Sequence, residues 1–173
     1  SFKIYNVDEP IALSDILPRL ENMGLKVIRE TPSNIVPAGA EAPVYLHDFG
    51  LVTGDGSPVD YTTVRELFHD SFAQVWRGEI EDDGFNRLVL RANLDWREVV
   101  MLRAYCKYLR QARIPFSQAY MEETLARYPD LTRLLVRFFK LRFDPDFEGD
   151  REGLEATVQA AIDQELDRVA NLD

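Results

Sequence analysis

The sequence predicts an α+β chain: an antiparallel sheet carrying two helices on one side, followed by an all-helical domain. Three observations carry this. The first part sets out its signals in the order strand, helix, strand, strand, helix, which is most of a split β-α-β unit of ferredoxin-like type without its last strand. Beyond Gly84 only the 3.6-residue period remains. Length and composition also allow a packed body, since 173 residues with 46% hydrophobic and 29% charged side chains match ordinary folded proteins.

The elements follow in order. FKIYN alternates apolar and polar residues as a half-buried strand does. After Asp8, Glu9 and Pro10 comes a helical stripe of Leu13, Ile16, Leu17, Leu20 and Met23, closed by Gly24 where a left-handed cap belongs. With Ala12 or Ser14 as the cap, Pro18 falls at or near the edge of that helix's first turn, where a missing amide matters least. LKVIRE is a second strand, with Leu25 and Val27 on one face and Lys26, Ile28 and Glu30 on the other. A loop zone is expected over 31–43, PVYLHDFGLV is the third strand, and Asp60 to Trp76 is a helix buried through Val64, Leu67, Phe68, Phe72 and Val75.

The stretch from Arg77 to Gly84 is acidic and turn-like, so the boundary is expected near Gly78 to Gly84 and the domains at 1–80 and 81–173. Phe85, Leu88, Val89 and Ala92 open the second with helical spacing. Asp95 stands three residues before Glu98, the spacing of a reciprocal capping box. From there Val99, Leu102, Cys106 and Leu109 form a stripe, widened by Val100 and Tyr105, with Arg97, Arg103, Lys107 and Arg110 off it. Ser117 can cap a further helix bearing Tyr120, Met121, Leu125 and Tyr128, and Pro129 and Asp130 start another. That last one carries Leu134, Leu135, Phe138 and Phe139, which are expected to be buried, together with the other aromatic side chains of these helices. A final helix from Arg151 to Leu172 has only a thin stripe of Leu154, Val158, Ile162, Leu166 and Val169.

Charge narrows the function. Thirty acidic against 20 basic side chains give −10, which repels phosphate backbones and anionic membranes, so no nucleic acid and no membrane partner is expected. No apolar run approaches the roughly 20 residues of a membrane span. Cys106 is the only cysteine and fits a reduced, cytoplasmic setting. Both ends read as cut from a longer polypeptide.

Candidate chemistry is sparse. DPDFEGDREGLE, counted as a 12-residue calcium loop, offers Asp144, Asp146 and Glu148 at positions one, three and five, Gly149 at six and Glu155 at twelve. Against it, Arg151 takes the eighth position, Pro145 stiffens the second, and there is no partner loop. It reads as an acidic inter-helix loop, as does the cluster Glu79, Glu81, Asp82 and Asp83. His47-Asp48 and His69-Asp70 repeat a dipeptide of metal phosphohydrolases, but no third His exists to complete such a site, so both are expected as surface or interface polar residues. No nucleophile stands with a base and oxyanion donors, and no Gly-rich nucleotide loop is present. No catalytic, cofactor-binding or metal residue is therefore assigned.

The wording of the chain carries more. MLRAYCKYLRQARIPFSQAYMEETLARYPDLTRLLVRFFKLRFDP, DDGFNRLVLRANLDWREVVMLRAY and FKIYNVDEPIALSDILPRLENMGLKVIRE resemble stretches of the large bacterial NAD-specific glutamate dehydrogenases. The resemblance implies an ACT-like regulatory module and the helical segment preceding the catalytic portion. It implies for the parent an oxidative deamination of L-glutamate with NAD, and as partners the remaining domains and a homo-oligomer. The family's catalytic lysine and aspartate and its dinucleotide domain match no position here, so the chain alone should be inactive. ACT modules commonly bind an amino-acid effector at the turn between first strand and first helix. Here that turn holds Asn6, Asp8, Glu9 and Ile11, with Ile11 where a glycine would let a ligand approach.

Overall fold

The structure, a computed structural model, describes residues 1–36, 38–39 and 42–169. It is α+β. Strands β1 (Phe2–Val7), β2 (Leu25–Ile35) and β3 (Val44–Thr53) form one antiparallel sheet in the order β1-β3-β2. Helices α1 (Leu13–Asn22) and α2 (Tyr61–Trp76) belong to this first part, and no fourth strand joins the sheet among the described residues. Asp60 caps α2 by accepting from the Thr62 amide. Gly24 ends α1 at φ +82°, as its position after the stripe requires. Ala12 is the N-cap, one of the two starts the sequence allows, and Pro18 then lies inside α1, beyond the edge of its first turn.

β2 departs from expectation in two ways. It continues through residues 31–35, where a loop was expected, with Pro32 opposite His47. The strand is an edge, so a proline can turn its missing amide outward without breaking a ladder. The register also slips between Val27 and Arg29. That bulge inserts Ile28, leaves it exposed, and brings Glu30 to the face that carries Val27, opposite the face alternation assigns it.

The second part begins with a 3-10 turn at Gly84–Arg87 and α3 (Leu88–Arg91) in place of one continuous helix. Then come α4 (Trp96–Gln111), α5 (Gln118–Arg127), α6 (Pro129–Phe143) and α7 (Arg151–Leu166). The capping box of α4 is complete: the Glu98 amide donates to Asp95 at 2.9 Å and the Asp95 amide to Glu98 at 2.8 Å. Ser117 caps α5 by accepting from Tyr120. The expected stretch of α7 beyond Leu166 is turn at 167–169, and residues 170–172 lie outside the described residues.

One apolar core runs from the sheet into the helices, through Ile16, Leu20, Phe49, Phe72, Phe85, Leu88, Val99 and Val136. A second, smaller cluster of Leu141, Val158 and Ile162 lies between α6 and α7. The expected burial of α6 is only partial: Leu134, Leu135, Phe138 and Phe139 are half-buried, the first three against the small cluster shared with α7 and Phe139 against Tyr105 of α4. Tyr105 and Leu109 on α4 are exposed, contrary to the stripe, as is Tyr108; Tyr105 meets Phe139 of α6 edge-on, 5.9 Å between rings, and that contact covers only part of it. No helix among the described residues is long and apolar enough to cross a membrane.

Candidate functional site

The turn between β1 and α1 is built by β1 leaving the sheet at Val7. Asp8 takes φ +75°, and its amide donates to the Pro43 carbonyl at 3.1 Å. The Asn6 side chain donates to the Glu9 carbonyl at 2.9 Å and holds the turn shut from within. Asp8 and Glu9 are exposed, Asn6 and Ile11 half-buried. A non-glycine residue at positive φ costs free energy that the surrounding bonds must offset.

Under this turn lies a residue expected at the surface. His47 is 5% exposed on the inner face of β3. The Ile11 amide donates to His47 Nε2 at 3.1 Å, and His47 Nδ1 lies 2.9 Å from Glu30 Oε1. An Nε2 that accepts leaves the proton on Nδ1, so Nδ1 donates to the Glu30 carboxylate. The bulge at Ile28 is what delivers Glu30 to this face. The turn, β3 and β2 thus share one buried polar chain, with the Ile11 amide already occupied by protein. His69 is exposed on α2 beside Phe2, at 5.9 Å between rings, and takes no part.

The acidic loop after α6 is organised by a cation of its own. Arg151 donates to the Leu141 and Asp144 carbonyls and lies over the Phe147 ring, 5.1 Å from its centroid. Asp144 accepts from the Asp146 amide, an ordinary turn, while Asp146 and Glu148 are exposed and Glu155 stands on α7. Among the described residues no group of three or more His, Cys, Asp or Glu side chains is placed to hold a metal.

The largest fully buried polar side chain is one the periodicity puts off the stripe. Arg103 is 1% exposed, and its Nε and Nη2 donate to the two carboxylate oxygens of Asp83 at 2.8 Å each. Nη2 also reaches the Asn86 side-chain oxygen at 2.8 Å. Gln118 joins Asp83 to Glu122 on α5, and Lys107 pairs with Glu81. Lys107 and the nearby Arg103 hold the Glu81 carboxyl below its usual range. Two members of an expected solvated acidic loop therefore anchor α4. The signal that could have found them is an arginine three residues from Cys106 and four from Val99 on a helix whose buried face is wider than its stripe. Cys106 lies beside this network, and burial pushes its thiol up, with Glu122 and Asp83 adding to the shift, so it is a poor nucleophile.

Sequence comparisons place this architecture. A family model described as glutamate dehydrogenase, ACT3 domain, matches residues 1–64, and one described as glutamate dehydrogenase, helical motif 3, matches residues 80–145. The chain belongs to the NAD-specific glutamate dehydrogenase family. It is similar to the NAD-specific glutamate dehydrogenase of Halomonas elongata, 42% identical over 95% of this chain, and to that of Pseudomonas aeruginosa, 40% identical over 94%. That of Mycobacterium tuberculosis is 37% identical over 94% of the chain. The chain spans only 10% of the length of each of these relatives. Within this glutamate dehydrogenase segment, the His47 chain lies in the ACT3 match and the Arg103 network in the helical-motif match.

Proposed function

We propose that this chain is a non-catalytic structural and regulatory segment of an NAD-specific glutamate dehydrogenase. The parent converts L-glutamate, NAD and water to 2-oxoglutarate, ammonia and NADH in the cytoplasm, and residues 1–80 and 81–173 are its two working parts here. They position the catalytic portion within a homo-oligomer. The observation that carries the structural role is the single core that continues from Phe49 of the sheet through Phe85 to Val136 of α6. A load on either part is thereby passed to the other through packed side chains. NAD does not fit the described residues: their sheet is antiparallel, with none of the parallel strand–turn–helix crossovers whose glycine loop receives a pyrophosphate. The test is an assay of NAD reduction with glutamate by the purified chain. No turnover is expected, and measurable turnover overturns the proposal.

A second reading, an amino-acid effector at Asn6, Asp8, Glu9 and Ile11, is favoured by one feature. The α1 N-terminus has no side-chain cap, so its first amides have no side-chain acceptor there. Against it, the Ile11 amide is taken by His47. A thermal-shift screen of amino acids separates the two, because a ligand specific to the folded chain raises its midpoint.

A further inference from the structure

A cleft of about 640 Å³ opens where the end of α1, the adjoining ends of β2 and β3, and helices α3 and α5 meet. It lies at the junction of the sheet with the helices, the kind of place where small-molecule sites form. On the sheet side its wall is glycine backbone. Gly24 and Gly54 are joined by an amide-to-carbonyl bond of 2.9 Å, and a Cβ on Gly24 would meet the Arg87 Cβ at 3.2 Å. Glycine at this position lets Arg87 lie directly against the chain.

The charges in the cleft do not cancel. Asp55 is paired with Arg91 at 2.7 Å, and Glu123 with Arg127 at 2.8 Å. Arg87 and Lys26 remain against Glu21 alone. No ion pair among the described residues includes Arg87, and its Nε is buried without an acceptor. The Glu122 carboxylate stands near its far end: Oε1 accepts from Gln118 at 2.8 Å, while Oε2 and the Arg87 Nη2 both crowd the space over Gly84. A shielded guanidinium donor without an acceptor is costly, and in a chain of net charge −10 a cationic cleft runs against the overall balance.

We propose that this cleft binds a small oxyanion, the carboxylate or phosphate group of a metabolite-sized ligand, on Arg87 with Lys26 at the rim. The planar fork of an arginine suits both groups and adds direction to the charge. A ligand held there touches the sheet and the helices at once, so its binding is felt by both parts. The inference does not rest on the chain's role in a dehydrogenase.

The test is calorimetric titration of the 173-residue chain with sodium phosphate and with sodium malonate, against sodium chloride at matched ionic strength. Saturable binding of at least one of the two is expected, weakened about tenfold or more by Arg87→Met and about threefold by Lys26→Met. Binding of phosphate alone assigns a phosphoryl ligand, of malonate alone an organic acid, and of both the shared chemistry. If Arg87→Met loses its cooperative melt, the affinity of Lys26→Met decides between the outcomes. No saturable binding of either anion, an equal response to chloride, or affinity unchanged in the variants overturns the proposal.

Discussion

The body formed by the sheet and helices α1 to α6 and the hairpin that α7 makes with α6 are held by different means. In the body, fully buried Phe49, Phe85, Leu88 and Val99 share one core, and Arg103 is locked inside by Asp83 and Asn86. The hairpin rests on Leu141, Val158 and Ile162, with Phe138 and Leu134 half-covered beside them. Both contain helices that carry apolar stripes. The difference is that the body closes around its polar groups, whereas α7 has one narrow face and packs on one neighbour. A stripe shows that a helix needs a partner, and its width decides how much that partner can hold.

The largest expected effect tests the body. Arg103→Met removes the guanidinium that pairs Asp83 and serves Asn86, leaving Asp83 only the Gln118 amide and the Phe85 backbone N–H. Breaking a buried ion pair costs about 3–5 kcal/mol, and the low end applies because Asp83 keeps 17% side-chain exposure. Chemical denaturation should show that loss in the main transition, and a cost under about 1 kcal/mol, the worth of a surface pair, would mean the network is not what closes the body. His47→Ala is expected to cost about 1–3 kcal/mol, since it leaves the Ile11 amide and the Glu30 carboxylate without their shared partner. Amide exchange of Ile11 should accelerate in this variant, and unchanged protection would show that the turn holds itself.

In the hairpin, Ile162→Val should cost about 0.5–1.5 kcal/mol. Ending the chain at Asp150 should move the body's melting midpoint by less than about 4 °C, the shift that accompanies roughly 1 kcal/mol at this size. A much larger shift would show that α7 is a structural member of the body, and the contrast would fail. The smallest effect is on pH. The Thr62 and Thr63 hydroxyls and the Thr62 amide hold the Asp60 carboxyl below its usual value. A carboxyl held low adds stability above its unfolded value, and that stability fades as pH falls through the folded one. Asp60→Asn should therefore flatten the acid limb of midpoint against pH below about 4, with little change at neutrality.

Much of the fold was legible. The Asp95 capping box, the Ser117 cap, the Gly24 stop and the stripe of α2 are local rules, and the structure follows each one, whereas the α4 stripe holds at Val99, Leu102 and Cys106 and fails at Tyr105 and Leu109. The polar residues that matter most were not legible. Strict alternation sends Glu30 outward, and only the bulge at Ile28 turns it toward His47. Arg103 and Asp83 are separated by 20 positions in sequence, and Arg87 faces a cleft bounded by residues of four other elements.

Residue order by itself determined the element sequence, the α+β class, the caps, and through whole phrases the family. These are consequences of short-range sterics and of shared wording, which need no partner in space. Only the tertiary structure decided which polar groups would meet: Ile11 with His47, and Arg103 with Asp83. Apolar periodicity records which side of an element seeks cover. It does not record which distant donor and acceptor will be shut inside together, because that depends on how elements cross and where a bulge shifts the register.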